Sequence, residues 1–235
     1  MKIGFISDAH GNPEGLSRCL AALASEGCQQ LYFLGDALGY LPEENAVFDR
    51  LERSGAIGLF GNHEAMLLGQ LPLTPARDEI YRLTEARARL LPKWRAWIST
   101  WPLRRDLEVD GAKLLLVHGS PDSPLEGYIY PNSDLSSFAP LPYDFVFMGQ
   151  THRPFQRQQG DVMVVNIGSS GMPRDIGNLA SCAVFDSQTR TVEILRVEFD
   201  AAALVQKWQG AIAPASADCL RRTGPTPAGR IVRLP

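Results

Sequence analysis

Residues 2–36 read KIGFISDAHGNPEGLSRCLAALASEGCQQLYFLGD, and their pattern decides the fold class. A short apolar run, 3–6, breaks at Ser7-Asp8-Ala9-His10. Asn12 then suits a helix N-cap with Pro13 at the first helical position. Leu16, Leu20 and Leu23 recur at helical spacing, and Gly27 suits the helix stop. A second apolar run, 31–34, ends at Gly35-Asp36. Beyond it, 43–53 reads as a second helix and 56–60 as a third strand. Strand, helix, strand, helix, strand predicts a parallel sheet with crossover helices.

The later chain changes character. Residues 64–101 read as helical, with breaks at Pro72, Pro75 and Pro92. They form a helical insertion and a candidate cap over the crevice. Strand-like runs follow at 113–117, 144–148, 162–167, 180–185 and 191–198, with no strong helical period between the later ones. They predict a second, more antiparallel sheet. The expected fold is α/β: a layered α-β-β-α sandwich of two mixed sheets flanked by helices. One domain is expected over 1–211, with an irregular, partly mobile tail over 212–235 that is rich in Pro, Ala and Gly.

Composition narrows the function classes. The chain has 235 residues, enough for a sizeable core without a staple, and is 45% hydrophobic and 21% charged. A net charge of −3 gives no sign of specific nucleic-acid or membrane binding. Cys19, Cys28, Cys182 and Cys219 lack CxxC spacing and read as reduced thiols. The first dozen residues read as neither a signal nor a transit peptide, and no apolar run is long enough to span a bilayer. A cytoplasmic protein is expected; the oligomeric state does not follow from the sequence. Trp94, Trp97 and Trp101 lie among basic residues, but their helical spacing favours packing on the core.

The polar residues at the end of each apolar run carry the chemistry. After the first run come Asp8 and His10, and after the second Gly35-Asp36. Gly61-Asn62-His63-Glu64 follows the third, His118 follows KLLLV, and Gly149-Gln150-Thr151-His152 follows DFVFM. All four histidines of the chain sit in these places. Ligands of α/β sheets bind outside the carboxyl ends of strands, so these groups can meet in one crevice. Carboxylate, amide and imidazole without thiolate suit Mn, Fe, Co or Zn better than a dedicated Mg or Ca site. The candidates are too many for one tetrahedral ion and fit two ions roughly 3.5–4 Å apart.

The order Asp-x-His, Gly-Asp, Gly-Asn-His-Glu, His, Gly-x-x-His, running from residue 3 to about 198, resembles the calcineurin-like metallophosphoesterase superfamily. The stretches VHGSPDSPLEGYIY (117–130) and NIGSSGMPRD (166–175) look like bacterial members related to protein phosphatases and diadenosine tetraphosphatases. The resemblance implies two divalent transition-metal ions, with Mn favoured. Asp8, His10, Asp36 and His152 would hold the first, and Asp36 would bridge to a second joined by Asn62 and His118. His63 would serve the leaving-group oxygen. Arg174, and more weakly Arg153, are candidates to bind a phosphate-ester substrate. Tyr128 and Tyr130 either line the site or pack. The implied activity is hydrolysis of a phosphomonoester or phosphodiester by a metal-activated water. The chain departs from the family at Gln150, where a second ligand histidine is expected. Three readings stay open: Gln150 ligates through its oxygen, holds a water, or leaves the second site loose. The departure also admits an inactive scaffold or ligand-binding module of the same fold. His63, present with Asp8, Asp36 and Asn62, argues against that.

Overall fold

Asn12 accepts hydrogen bonds from the backbone N–H of Glu14 and Gly15 and so starts α1 (Pro13–Ser25) directly behind β1 (Lys2–Ile6). This computed structural model describes residues 1–224 and 226–234; the other two positions, Pro225 and Pro235, belong to the tail read as irregular and lie outside the described residues. The chain continues through β2 (Gln30–Phe33), α2 (Glu44–Ser54) and β3 (Ile57–Gly58), the predicted alternation with a shorter third strand. Four helices follow, α3 (Asn62–Leu67), α4 (Pro75–Tyr81), α5 (Leu83–Arg89) and α6 (Pro92–Ile98). Next come β4 (Arg104–Val109), β5 (Ala112–Val117), β6 (Phe145–Met148), β7 (Phe155–Gln159), β8 (Val162–Asn166), β9 (Leu179–Asp186) and β10 (Thr191–Glu198). The last elements are α7 (Ala201–Lys207), α8 (Pro214–Leu220) and β11 (Arg230–Val232). No helix of the described residues is long and apolar enough to cross a membrane.

Two mixed sheets face one another. The first has the order β11-β10-β9-β1-β2-β3 and the second β4-β5-β6-β8-β7. β1, β2 and β3 run parallel, as do β5, β6 and β8. Phe5 from the first sheet and Phe147 from the second stack with ring centroids 4.0 Å apart, at the centre of the layer between the sheets. Leu16, Leu23, Phe48 and Trp94 belong to the core that joins the first sheet to its helices. Trp94 and Trp101 are buried, and with Trp97 they surround Phe48, so the tryptophans pack as their spacing predicts. All four cysteines are unpaired.

Three expectations are corrected. β9 and β10 do not belong to the second sheet: β9 pairs antiparallel with β1 in the first. The cause is composition, because Cys182 and Val184 face the helix side while Ala183 and Phe185 face the other sheet. A strand apolar on both faces needs cover on both faces. β4 and β7 were not anticipated. Their alternating exposed residues mark polar sheet edges, which show little hydrophobic signal. The tail read as irregular carries α8, begun by Pro214, and β11, paired with β10. Arg230 secures it by donating to Glu193 and Glu26, both at 2.7 Å.

Candidate metal centre

The loops after β1, β2, β3, β5 and β6 meet at one end of the sandwich, and their glycines set how closely. A Cβ on Gly61 would lie 2.2 Å from Asp36 Oδ1, and one on Gly149 would lie 2.4 Å from Asp8 Oδ2. The run 145–148 therefore stops at a glycine because the Ser7 side chain and the Asp8 carboxylate fill the space of its side chain. Of the nine non-glycine residues with left-handed φ among the described residues, six border the crevice: Asp8, His10, Asp36, Tyr40, Gln150 and His152. Each costs on the order of 1 kcal/mol, and such strain gathers where function fixes the backbone. Glu64 braces the turn after β2: its carboxylate accepts from Asp36 N at 2.8 Å, Ala37 N at 2.7 Å and Gly61 N at 3.0 Å.

Every histidine is oriented by a backbone carbonyl. Nδ1 donates to Leu38 O from both His10 (3.2 Å) and His63 (3.0 Å), to Leu34 O from His118 (2.7 Å), and to Met172 O from His152 (2.7 Å). A carbonyl only accepts, so Nδ1 carries a proton and each ring, in its neutral form, presents an Nε2 lone pair to the crevice. The Nε2 atoms of His10 and His152 lie 2.9 Å apart. Asp8 Oδ1 sits 3.3 Å from His152 Nε2 and 3.6 Å from His10 Nε2, buried and without a hydrogen-bond donor. Lone pairs facing lone pairs around an unpartnered carboxylate fit a cation. Donors at right angles about 2.1 Å from one ion stand about 3 Å apart.

A second set adjoins the first. Asp36 Oδ2 lies 3.7 Å from His10 Nε2, 3.4 Å from His118 Nε2 and 3.8 Å from His63 Nε2. The crevice end of the Asn62 amide is 2.9 Å from Asp36 Oδ2, 3.1 Å from His118 Nε2 and 3.1 Å from Gln150 Oε1. Asp36 Oδ2 and Gln150 Oε1 are acceptors, so the amide meets them with its NH2 end, or with its oxygen when a cation is shared among them. Gln150 anchors Nε2 on Leu125 O at 3.4 Å, which turns its Oε1 toward this set.

The electrostatics agree. Burial would raise the carboxyls of Asp8 and Asp36, yet facing imidazoles, His152 and His10 for Asp8 and His118 and His63 for Asp36, hold them well below the usual range. Burial pushes His63 down to about 3 and, with the Arg174 guanidinium, His152 down to about 4. Burial opposes protonation of His118 as well, but Asp36 and then Asp8 outweigh it and push the ring up to about 10. Burial and Asp36 push Glu64 up to about 7. The buried Asp8 and Asp36 carboxylates hold negative charge that a dication would offset.

The other anticipated residues occupy distinct places. His63 packs its ring 4.5 Å from Tyr81 and 5.3 Å from Tyr40, and with His10 and Asp36 it also forms a set close enough to share an ion. Arg174 is half-buried and donates to Tyr40 Oη at 2.9 Å, while its backbone N–H donates to His152 O. Arg153 is half-buried and forms no ion pair among the described residues. Tyr128 and Tyr130 are exposed and stack on each other. Tyr40, Tyr81 and Glu64 were not foreseen as parts of the crevice. Glu64 carries a signal in the helix-start pattern, whereas a lone tyrosine in a loop or an inserted helix carries none.

Comparison with known proteins places this geometry. Residues 1–190 match the family model of the calcineurin-like phosphoesterase superfamily domain. The chain is 28% identical over 222 residues to "Uncharacterized protein MJ0912" of Methanocaldococcus jannaschii, covering 84% of this chain and 88% of that protein. Its fold is similar to the structure of hypothetical protein PH1004 from Pyrococcus horikoshii, with a TM-score of 0.83 at 18% identity over 94% of this chain and 98% of that one. A metallophosphoesterase from Sphaerobacter thermophilus superposes with a TM-score of 0.76 at 24% identity, over 94% and 98% of the two chains.

Proposed function

The chain belongs to the calcineurin-like phosphoesterase superfamily, and from that premise we propose that it hydrolyses a phosphomonoester or phosphodiester with two divalent transition-metal ions, Mn favoured among Mn, Fe, Co and Zn. The convergence of the His10, His118 and His152 Nε2 atoms on Asp8 and Asp36 carries this reading. Asp8, His10 and His152 would hold the first ion, Asn62, His118 and Gln150 the second, and Asp36 both. When bound, such ions polarise the phosphoryl oxygens and bring the pKa of an attacking water toward neutrality.

The remaining work falls to side chains. The backbone carbonyls behind each imidazole hold Nε2 on target and raise its basicity as a ligand. Arg174, turned toward the crevice by Tyr40, binds phosphoryl oxygens, with Arg153 as a weaker neighbour. His63, with Nδ1 fixed on Leu38 O, offers Nε2 to the leaving-group oxygen. The donor form is the imidazolium, which burial disfavours and a bound phosphoryl anion favours.

Turnover of a generic aryl phosphate and an aryl phosphodiester by the Mn-loaded protein tests the proposal. No turnover of either, with bound metal verified, supports instead the scaffold reading that Gln150 admits. His63→Ala should lower turnover by about 10²–10⁴-fold while metal content stays at the wild-type level. Loss of the metals in that variant would show that His63 is a ligand.

A further inference from the structure

Beside the metal-ligand cluster lies a cavity of about 220 Å³ between α4 and α8. Tyr40 and Arg174 line it and also border the crevice: the Tyr40 ring is 4.7 Å from His10 and 5.3 Å from His63. The remaining walls are apolar or aromatic, with Tyr81 and Ile80 from α4, Met172 from the loop after β8, and Cys219 from α8. Ser216, 1% exposed, is the exception. It lines the cavity, and its buried hydroxyl has no hydrogen-bond partner among the described residues. An orphaned buried hydroxyl costs free energy unless a ligand meets it.

Position links this cavity to the chemistry. His63, the group proposed above to serve the leaving-group oxygen, has its ring 4.5 Å from Tyr81 and within stacking distance of Tyr40. The leaving side of a phosphoryl group held at the cluster therefore faces the Tyr40–Tyr81 wall. A cavity of about 150 Å³ lined by apolar side chains accepts benzene, so this one is large enough for a single planar ring. Aromatic walls favour a ring stacked or edge-on, and one polar group at the cavity wall fixes its orientation. We propose that the cavity between α4 and α8 is a leaving-group subsite, and that the substrate is a phosphoester bearing a single planar aromatic ring with a hydrogen-bonding edge. This rests on the phosphoesterase reading and narrows it to a substrate class.

Binding rather than turnover tests it, by calorimetry on the Mn-loaded full chain with phenylphosphonate and methylphosphonate. The two share a phosphoryl head and differ only in the ring. Phenylphosphonate should bind at least about tenfold more tightly, from burial of the ring's apolar surface. Ala215→Trp, at an exposed position lining the cavity, should abolish that gap and leave methylphosphonate affinity within about twofold. Should that variant fail to fold, Ile80→Ala should shrink the gap instead. Equal affinity of the two phosphonates in the wild type overturns the subsite, as does a gap that a folded Ala215→Trp or Ile80→Ala leaves unchanged. Binding of neither, with Mn in place, overturns the phosphoesterase reading and this inference together.

Discussion

Gln150 holds a left-handed backbone, φ 66°, with its N–H on Asp8 Oδ2 at 3.2 Å and its amide oxygen beside Asn62. In the proposed assignment it is a ligand of the second ion, and a weak one: a neutral amide oxygen binds Mn, Fe or Zn less firmly than imidazole. Histidine is among the residues that tolerate this backbone region, so the exchange adds little strain. Gln150→His is expected to tighten the second metal by about 10–100-fold and leave the first unchanged, read by titrating the metal-free protein with Mn. An unchanged second affinity would mean that position 150 does not reach the ion. The substitution at 150 is plain in the sequence, but its consequence is not. Which way an amide faces depends on Leu125 O, 25 residues away, and no local pattern encodes that.

Among the elements, α3 does more than its six residues suggest. It delivers Asn62 and His63 at its first turn, and its Glu64 ties the turn after β2 to the turn after β3. The backbone N–H of His63 also donates to Asp36 Oδ1 at 2.9 Å. The carboxylate proposed to bridge two ions is thus fixed by a helix start, where amide groups favour negative charge. Glu64→Gln keeps the volume but turns an NH2 group toward backbone N–H donors. It should destabilise the protein by about 2–3 kcal/mol and lower Tm by roughly 4–12 °C in thermal melts of the metal-free protein. An unchanged Tm would remove Glu64 from the support of the turn. Gly-Asn-His-Glu was legible as a helix start and as a family motif. That its glutamate braces a different strand was not, because the contact joins positions 28 residues apart.

Across the whole molecule, the crevice draws on both sheets: Asp8, Asp36 and Asn62 follow strands of the first, and His118, Gln150 and His152 follow strands of the second. The sandwich was legible because apolar runs ending in polar clusters mark strands and their carboxyl ends. The membership of β9 was not, since one strand's composition says that it is covered on both faces but not by which partner. Ions held across the two sheets stabilise the folded chain alone, so Mn should raise Tm in proportion to occupancy. Free Mn at about 100 times a site's Kd adds about 2.7 kcal/mol, or roughly 5–10 °C. With Gln150 as the weaker ligand of the proposed second site, the rise should come in two steps, the second at higher Mn. Acid should separate the steps further. In the metal-free protein His118 is pushed up to about 10, so the second ion must displace its proton at any pH below that. Its affinity should fall about tenfold for each unit of pH lowered from 8 to 6. His152 and Asp8 should add no such dependence to the first step over that range, because His152 is pushed down to about 4 and Asp8 lies well below the carboxylate range. Melts against Mn at pH 6, 7 and 8 measure this directly. A single saturating step at every pH, or a second step that ignores pH, would remove His118 and Gln150 from a distinct second site.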